Sequence, residues 1–489
     1  MINKSSKNEV NAVKKSERLA IVLTCAVILT ACGGESAGNF SETAVPESSS
    51  TDENISVSYY DNIPKDASYD GYEFTVLSYD TGSWNVFITA DVSRGDVMNS
   101  AAHKRNSEVE EMLDISVNEL LLSRNDYESV YKQQVMAGDT EFDMCAHFSL
   151  GAFASYISEN LVYDWGDVPN IDLSAPWYNK SANEAYSIAE KQYFAVSDFT
   201  FPVQQHARIL FNKELFDKYQ LDYPYEAVFA GEWTLDMMLK YCKDFYQDLD
   251  NDGNESLGDR YGMITSGGLF SVDPACACER AVRFDGDKLV LNLYSERIVD
   301  MIEDISDFYR NPDILMRTQP YATQYKIFED GNALFETYSS DPALLRSIEA
   351  FDFGYLPFPK YDDTQEDYYS NTFGGLISIP NTVKDIERTG TIIEALSAAS
   401  NKYMKDAFIE QYIEGKVLRD DESVEIYRMM RDNAVYELSF YIDPSGQCGS
   451  YYGTLMSENA PEISSHYASI EGAIKKGYED LYKMVADNE

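Results

Sequence analysis

Cysteine is scarce, with seven in 489 residues. Two of them, Cys25 and Cys32, precede residue 33, so a disulfide-built scaffold is excluded. The five that remain, Cys145, Cys242, Cys276, Cys278 and Cys448, are odd in number, and Cys276 and Cys278 lack the two-residue spacer of a redox or zinc pair. They are expected to be packing or loop residues. Histidine is scarcer still: His103, His147, His206 and His466 fall at no metal-ligand spacing. There is no phosphate loop, no G-x-G-x-x-G, no H-E-x-x-H and no G-x-S-x-G nucleophile elbow. Basic residues number 39 against 83 acidic ones, a formal net charge of −44 that repels phosphate backbones and excludes a sequence-independent nucleic-acid binder. No apolar run reaches the ~18 residues of a membrane-spanning helix. What is present is globular: 44% hydrophobic, 13% aromatic and 25% charged residues, in a chain long enough for two or three domains.

The N-terminus reads as an address and an anchor. Lys4, Lys7, Lys14, Lys15 and Arg18 precede the short apolar stretch Leu19–Thr30, which ends in Leu29-Thr30-Ala31-Cys32-Gly33-Gly34. This resembles a bacterial lipoprotein signal, which implies cleavage before Cys32 and a diacylglyceryl group on its thiol. Residues 33 to about 69, rich in Ser, Glu, Thr and Asn without a hydrophobic period, are expected to form a flexible tether.

From residue 72 onward strands and helices alternate. Tyr72–Tyr79 and Ile115–Leu122 read as strands, as does 142–148, with helices over 101–113 and about 127–137 between them. That order predicts a parallel, helix-covered sheet. Residues 192–201 and 209–211 look extended. Thr234 is a helix N-cap, Phe351–Pro357 and Leu376–Ile379 are strand-like, and 386–399 is helical. Tyr467, Ile470, Ile474, Tyr478, Leu481 and Val485 line one face of a C-terminal helix.

One loop carries a recognisable chemistry. Asp248, Asp250 and Asp252, then Gly253, Asn254, Ser256 and Asp259, follow the D-x-D-x-D-G pattern with a carboxylate at position twelve. Calcium needs six to eight hard oxygens, and alternate carboxylates on a tight turn converge to supply them. The expectation is a structural calcium ion held by Asp248, Asp250, Asp252, Asn254, Ser256 and Asp259, weakly, because Asp259 is shorter than the usual glutamate.

Several segments stand in a recognisable order: Leu161-Val-Tyr-Asp-Trp165, Asp172-Leu-Ser-Ala-Pro-Trp177-Tyr-Asn179, Leu210-Phe-Asn212-Lys-Glu-Leu-Phe216, Gly231-Glu-Trp233-Thr-Leu-Asp236, Phe328-Glu-Asp-Gly331-Asn-Ala-Leu-Phe335, Phe353-Gly354-Tyr-Leu-Pro357 and Gly374-Gly375-Leu-Ile-Ser-Ile-Pro380. Together with the lipoprotein signal they resemble the family 1 extracellular solute-binding lipoproteins of bacterial ABC importers. The resemblance implies an α/β, two-lobed periplasmic-binding-protein-like fold of type 2, with discontinuous lobes joined by crossover hinge segments. It places lobe one at 70–203 and 338–405 and lobe two at 206–333 and 406–489, with crossovers near Thr200–Gln205, Glu336–Ser339 and 405. It further implies a monomer on the outer face of a Gram-positive cell membrane, capturing a sugar, by preference an oligosaccharide, by lobe closure for ABC permease subunits, without catalysis. Sugar C–H faces pack on aromatic rings, and the chain has 37 Tyr and 24 Phe, though most of these must be core. The ligand candidates are Trp84, Ser149, Asp198, Gln204, Gly268, Tyr338, Gly375 and Tyr451, all beyond strand ends or at crossovers. Trp165, Trp177 and Trp233 are expected to be packing residues. Two other classes fit the composition: a tethered glycoside hydrolase with a carboxylate pair across a cleft, and a surface adhesin or sensor module with a large apolar patch.

Overall fold

A computed structural model describes residues 58–80, 87–147, 153–203, 205–266, 277, 279–318, 321–337, 342–457 and 460–487. Fifteen strands are described: β1 (Tyr72–Tyr79), β2 (Ile115–Leu122), β3 (Met144–His147), β4 (Ala195–Val196), β5 (Gln205–His206), β6 (Ile209–Asn212), β7 (Tyr261–Ser266), β8 (Val282–Asp285), β9 (Lys288–Leu291), β10 (Leu315–Thr318), β11 (Ala333–Thr337), β12 (Phe353–Leu356), β13 (Ser370–Phe373), β14 (Leu376–Ser378) and β15 (Ala434–Val435).

Ten of them build two five-stranded sheets, one per lobe, and the rest form a three-stranded ribbon, β15-β13-β5, and a hairpin, β8-β9. The first has the order β2-β1-β3-β14-β4 and the second β10-β7-β11-β6-β12. In the first, β1 runs parallel to both β2 and β3, as strand–helix–strand crossovers require, and β14 returns antiparallel to β3. β1 is flanked on both sides and its Phe74, Val76, Leu77 and Tyr79 are all buried, so both faces of the sheet are covered. Helix ends are set by side-chain caps: Asp96 accepts from the Asn99 N–H at the start of Val97–Leu113, Ser123 from Asp126 at Arg124–Ala137, and Thr234 from Met237 at Leu235–Cys242.

One core lies between the first sheet and the helices Val97–Leu113 and Ile386–Ser400, with Phe74, Val117, Trp165, Ile392 and Leu396 in it. A second starts on the opposite face of that sheet and continues through Tyr436 and Tyr441 into the second sheet, joining Phe153 and Phe194 to Phe211, Trp233 and Phe335. The tryptophans at 165, 177 and 233 are at most 4% exposed and serve packing, as their motifs suggested. Cys145, Cys242 and Cys448 are free and buried; Cys276 and Cys278 lie outside the described residues.

The lobe boundaries need one correction. Phe353–Leu356, expected in lobe one, pairs antiparallel with β6 in the second sheet, and the helix Asp421–Asp432 packs over it. β11 and β12 thus share one sheet, and the return crossing is β13 leading into β14. An apolar four-residue strand can join either sheet, and its own pattern does not say which. A smaller difference concerns 192–201, where only β4 is extended and Asp198–Val203 forms a 3-10 turn. Among the described residues no helix is long and apolar enough to cross a membrane.

Candidate functional site

Strand direction and register fix where the two sheets face one another. In the second sheet, Thr337 at the carboxyl end of β11 and Leu356 at that of β12 both pair with Ile209, the first residue of β6. In the first sheet, His147 at the carboxyl end of β3 pairs with Leu376, the first residue of β14. β6 follows β5 and β14 follows β13, and β5 and β13 pair antiparallel as a ribbon between the lobes (Thr372 opposite His206, Phe373 opposite Gln205). The carboxyl ends of both sheets thus converge on this ribbon, and ligands of open α/β sheets collect at such ends.

Tight backbone turns link the ribbon to the first sheet. Gly374 and Gly375 have φ of +91° and +75°, a region closed to most side chains. The Gly375 carbonyl accepts a 2.5 Å hydrogen bond from Thr200 Oγ1, tying the two crossing segments together. The Gly374 N–H donates to the Tyr441 hydroxyl. Tyr441 lies against Phe153 and Tyr186 of the first lobe, with ring centroids 5.6 and 5.3 Å apart, and Asn179 donates to the Tyr436 hydroxyl at 2.6 Å. β15 pairs with β13, so the segment from β15 to Tyr441 forms a third strap across the junction.

On the first-lobe side His147 is 1% exposed, ringed by Tyr127, Tyr131, Phe153, Tyr156 and Phe194. Its Nδ1 shares a 3.0 Å hydrogen bond with the Tyr127 hydroxyl and its Nε2 a 2.7 Å one with Ser378 Oγ, while burial pushes its pKa down to about 3. On the second-lobe side Thr337 donates to Thr265 at 2.8 Å, and Glu336 is fully buried at the end of β11. Nothing in the sequence marks Glu336 apart from its abundant acidic neighbours; only the strand register puts it at the converging edge. A cavity of about 420 Å³ also separates the first-lobe helix residues Ala154 and Ser158 from Pro444, Asp480 and Met484.

Of the eight ligand candidates, Trp84, Ser149, Gln204, Gly268 and Tyr338 lie outside the described residues, as does Cys32. Asp198 is 7% exposed and its carboxylate accepts from Asn401 Nδ2 at 2.6 Å and Lys405 Nζ at 3.4 Å. It fastens the 3-10 turn to the helical segment beginning at Asn401; burial raises its pKa and Lys405 opposes the rise. Gly375 serves the turn described above. Tyr451, expected in a loop, opens the short helix Tyr451–Leu455, fully buried and stacked on His466 at 5.6 Å, its hydroxyl without a hydrogen-bond partner. The described geometry brings Asp198 and Gly375 to the junction.

The acidic loop curls as its pattern requires. Carboxylate oxygens of Asp248, Asp250 and Asp252 lie within 4.8 Å of one another, and Gly253 has φ +77°. Asp248 accepts from the N–H groups of Asn251 (2.6 Å) and Gly253 (2.8 Å), and Asp252 from that of Asn254 (2.7 Å). Asp259 stands apart: its oxygens accept from Leu249 N (2.9 Å) and Ser256 N (2.7 Å), closing the loop's two ends. The Leu249 bond and, against burial, the Ser256 bond hold its carboxyl below the usual range.

No protein-family model matches the sequence, and neither does any curated protein. Solved structures do match its fold. An ABC substrate-binding protein from Listeria monocytogenes, in complex with cycloalternan, superposes with a TM-score of 0.52 at 15% identity over 85% of this chain and 99% of that one. A cyclo/maltodextrin-binding protein complexed with maltotetraose gives 0.55 at 13%, over 86% and 98%. An ABC transporter solute-binding protein from Thermotoga lettingae bound with α-D-tagatose gives 0.53 at 13%, over 84% and 100%. The fold is the two-lobed, type 2 periplasmic-binding architecture.

Proposed function

We propose that this protein captures a carbohydrate between its two lobes and hands it to the permease of an ABC importer, tethered to the outer face of the membrane through a lipid on Cys32. The observation that carries the reading is the convergence of both sheets' carboxyl ends on one hinge ribbon, in a fold that spans nearly the full length of binding proteins solved with cycloalternan, maltotetraose and tagatose. A ligand that touches both lobes binds the closed form better and shifts the population toward it, which is a signal a permease reads without any bond being made or broken. The protein acts as a monomer in this scheme. Residues 33–69 lift it from the membrane, and the twelve-residue apolar stretch Leu19–Thr30 serves as the cleaved leader rather than a span.

Calorimetric titration of the mature protein with maltotetraose, raffinose, tagatose and cycloalternan tests the proposal. At least one sugar is expected to bind in the micromolar range or tighter, unchanged after incubation. A protein indifferent to all of them that responds to amino acids or peptides refutes the sugar, and release of smaller sugars refutes the binding-only role.

We further propose that the acidic loop takes one calcium ion on Asp248, Asp250 and Asp252, with Asn254 and Ser256 adding to the shell while Asp259 holds the loop's ends together. The convergence of the three carboxylates supports it. Its role is to stiffen the connection from the helix Leu235–Cys242 to β7.

A further inference from the structure

A buried guanidinium, Arg208, lies beside the hinge ribbon without the partners that a buried charge needs, and a second, half-buried one, Arg431, stands near it. The antiparallel register puts His206, Arg208, Ser370 and Thr372 on one face of the ribbon. On that face His206 and Thr372 share a 2.8 Å hydrogen bond, and the Arg208 guanidinium lies 5.4 Å from the centre of the Tyr355 ring. Tyr427, on the helix Asp421–Asp432, closes the group at 6.0 Å from Tyr355 and 6.2 Å from His206, and Arg431 follows it one turn later on the same helix face.

Arg208 is 4% exposed, yet its Nε and Nη2 have no hydrogen-bond partner, and neither does Nη1 of Arg431. Nε and Nη2 form the edge of a guanidinium that grips two oxygens side by side. Arg105 shows how the chain satisfies that edge elsewhere: buried as deeply, it places Nε on Asn106 Oδ1 and Nη2 on the carbonyls of Phe87 and Ile88. Two carboxylates whose charges act on this cluster are already engaged. Asp198 is held by Asn401 and Lys405, and Glu414 is gripped by Arg428 at 2.6 and 2.8 Å. Arg431 pairs with Asp432 at 3.8 Å through its other terminal nitrogen, and its charge also acts on Asp198. Among the described residues the Nε–Nη2 edge of Arg208 is thus left without a partner, and Nη1 of Arg431 with it. An unpaired charge out of water is costly enough that a counter-ion is the natural resolution.

We propose that this face of the hinge ribbon is a binding site for a small oxyanion of the carboxylate, phosphate or sulfate class, gripped by the Nε–Nη2 edge of Arg208 with Arg431 as second cation. The site lies on the hinge ribbon itself, and its test uses no sugar, so it can fail without the reading given above failing.

The test is thermal unfolding of the mature protein titrated with sodium formate or sodium sulfate, with sodium chloride holding ionic strength constant. The wild type is expected to show a saturable rise in Tm of about 2 °C, since an ion that binds only the folded state stabilises it by mass action. Arg208→Lys, which keeps the charge but removes the two-nitrogen edge, is expected to lose the saturable response, and Arg208→Met likewise. A rise that never saturates, or one of equal size in Arg208→Lys, is general salting-out and overturns the site. So does a wild type that does not respond, which would mean that water satisfies the two nitrogens.

Discussion

Two buried histidines make the fold acid-sensitive in a calculable way. His147 sits in an aromatic ring beside β3, and His206 on the hinge ribbon. Burial lowers both to about 3, with Arg431 and Arg208 adding to the effect on His206. An unfolded histidine titrates near 6.5. The folded protein therefore refuses a proton that the unfolded chain accepts, so the contribution is intact above about pH 6.5 and is lost as pH falls toward 3. At pH 5 the unfolded chain is ~1.5 units below its midpoint while the folded state stays neutral. At about 1.4 kcal/mol per unit this costs ~2 kcal/mol for each histidine. Buried carboxyls work the other way: burial raises Asp143, Asp198, Glu394 and Glu437, so acid favours their folded form. The net slope of the wild type thus mixes both signs, and a single-site variant separates them. His147→Gln keeps a polar group near Tyr127 and Ser378 but cannot titrate. Urea unfolding at pH 7 and pH 5 is expected to show wild type losing about 2 kcal/mol more than His147→Gln over that interval, whatever the variant's absolute stability. Equal losses in the two proteins would refute a neutral, proton-refusing His147.

Three further outcomes follow from packing and from the acidic loop. Gly354 of β12 has no room for a side chain: an added Cβ would lie 2.0 Å from Phe211 Cε1 and 2.3 Å from the Tyr225 hydroxyl. Gly354→Ala is expected to lower Tm steeply or abolish soluble expression, whereas Gly472→Ala, with nothing within 4 Å on the C-terminal helix, raises stability by up to ~1 kcal/mol. Trp233 is fully buried against Phe335 and Tyr241 and donates its indole N–H to the Pro357 carbonyl at 3.1 Å, so Trp233→Ala should cost about 3–5 kcal/mol in urea unfolding. For the loop, a chelator should lower the wild-type Tm and leave Asp250→Ala unaffected; a wild type insensitive to chelation removes the ion.

How far the sequence reached depends on the kind of information each element carries. β1 and β2 were legible to the residue because alternation and β-branched composition are local, and the C-terminal helix because its buried residues recur every three or four positions. Sheet membership is a pairing decision, and it is invisible in the strand itself. Phe353–Leu356 satisfies the same short-strand pattern whichever sheet it joins, and the helix Asp421–Asp432, more than sixty residues later, packs over it beside β6. The same limit governs the site. Gly375 announces a turn because its φ is a local demand. Asp198 reads equally well as a ligand contact or a fastener, and its partners Asn401 and Lys405 come from two hundred residues away. Arg208 sits beyond both kinds of reading. Nothing near it in the sequence is unusual, and its importance lies in what the folded chain fails to bring to its Nε–Nη2 edge. Absence of a partner is a property of the whole packing arrangement, and only the folded arrangement of hinge, strand and helix displays it.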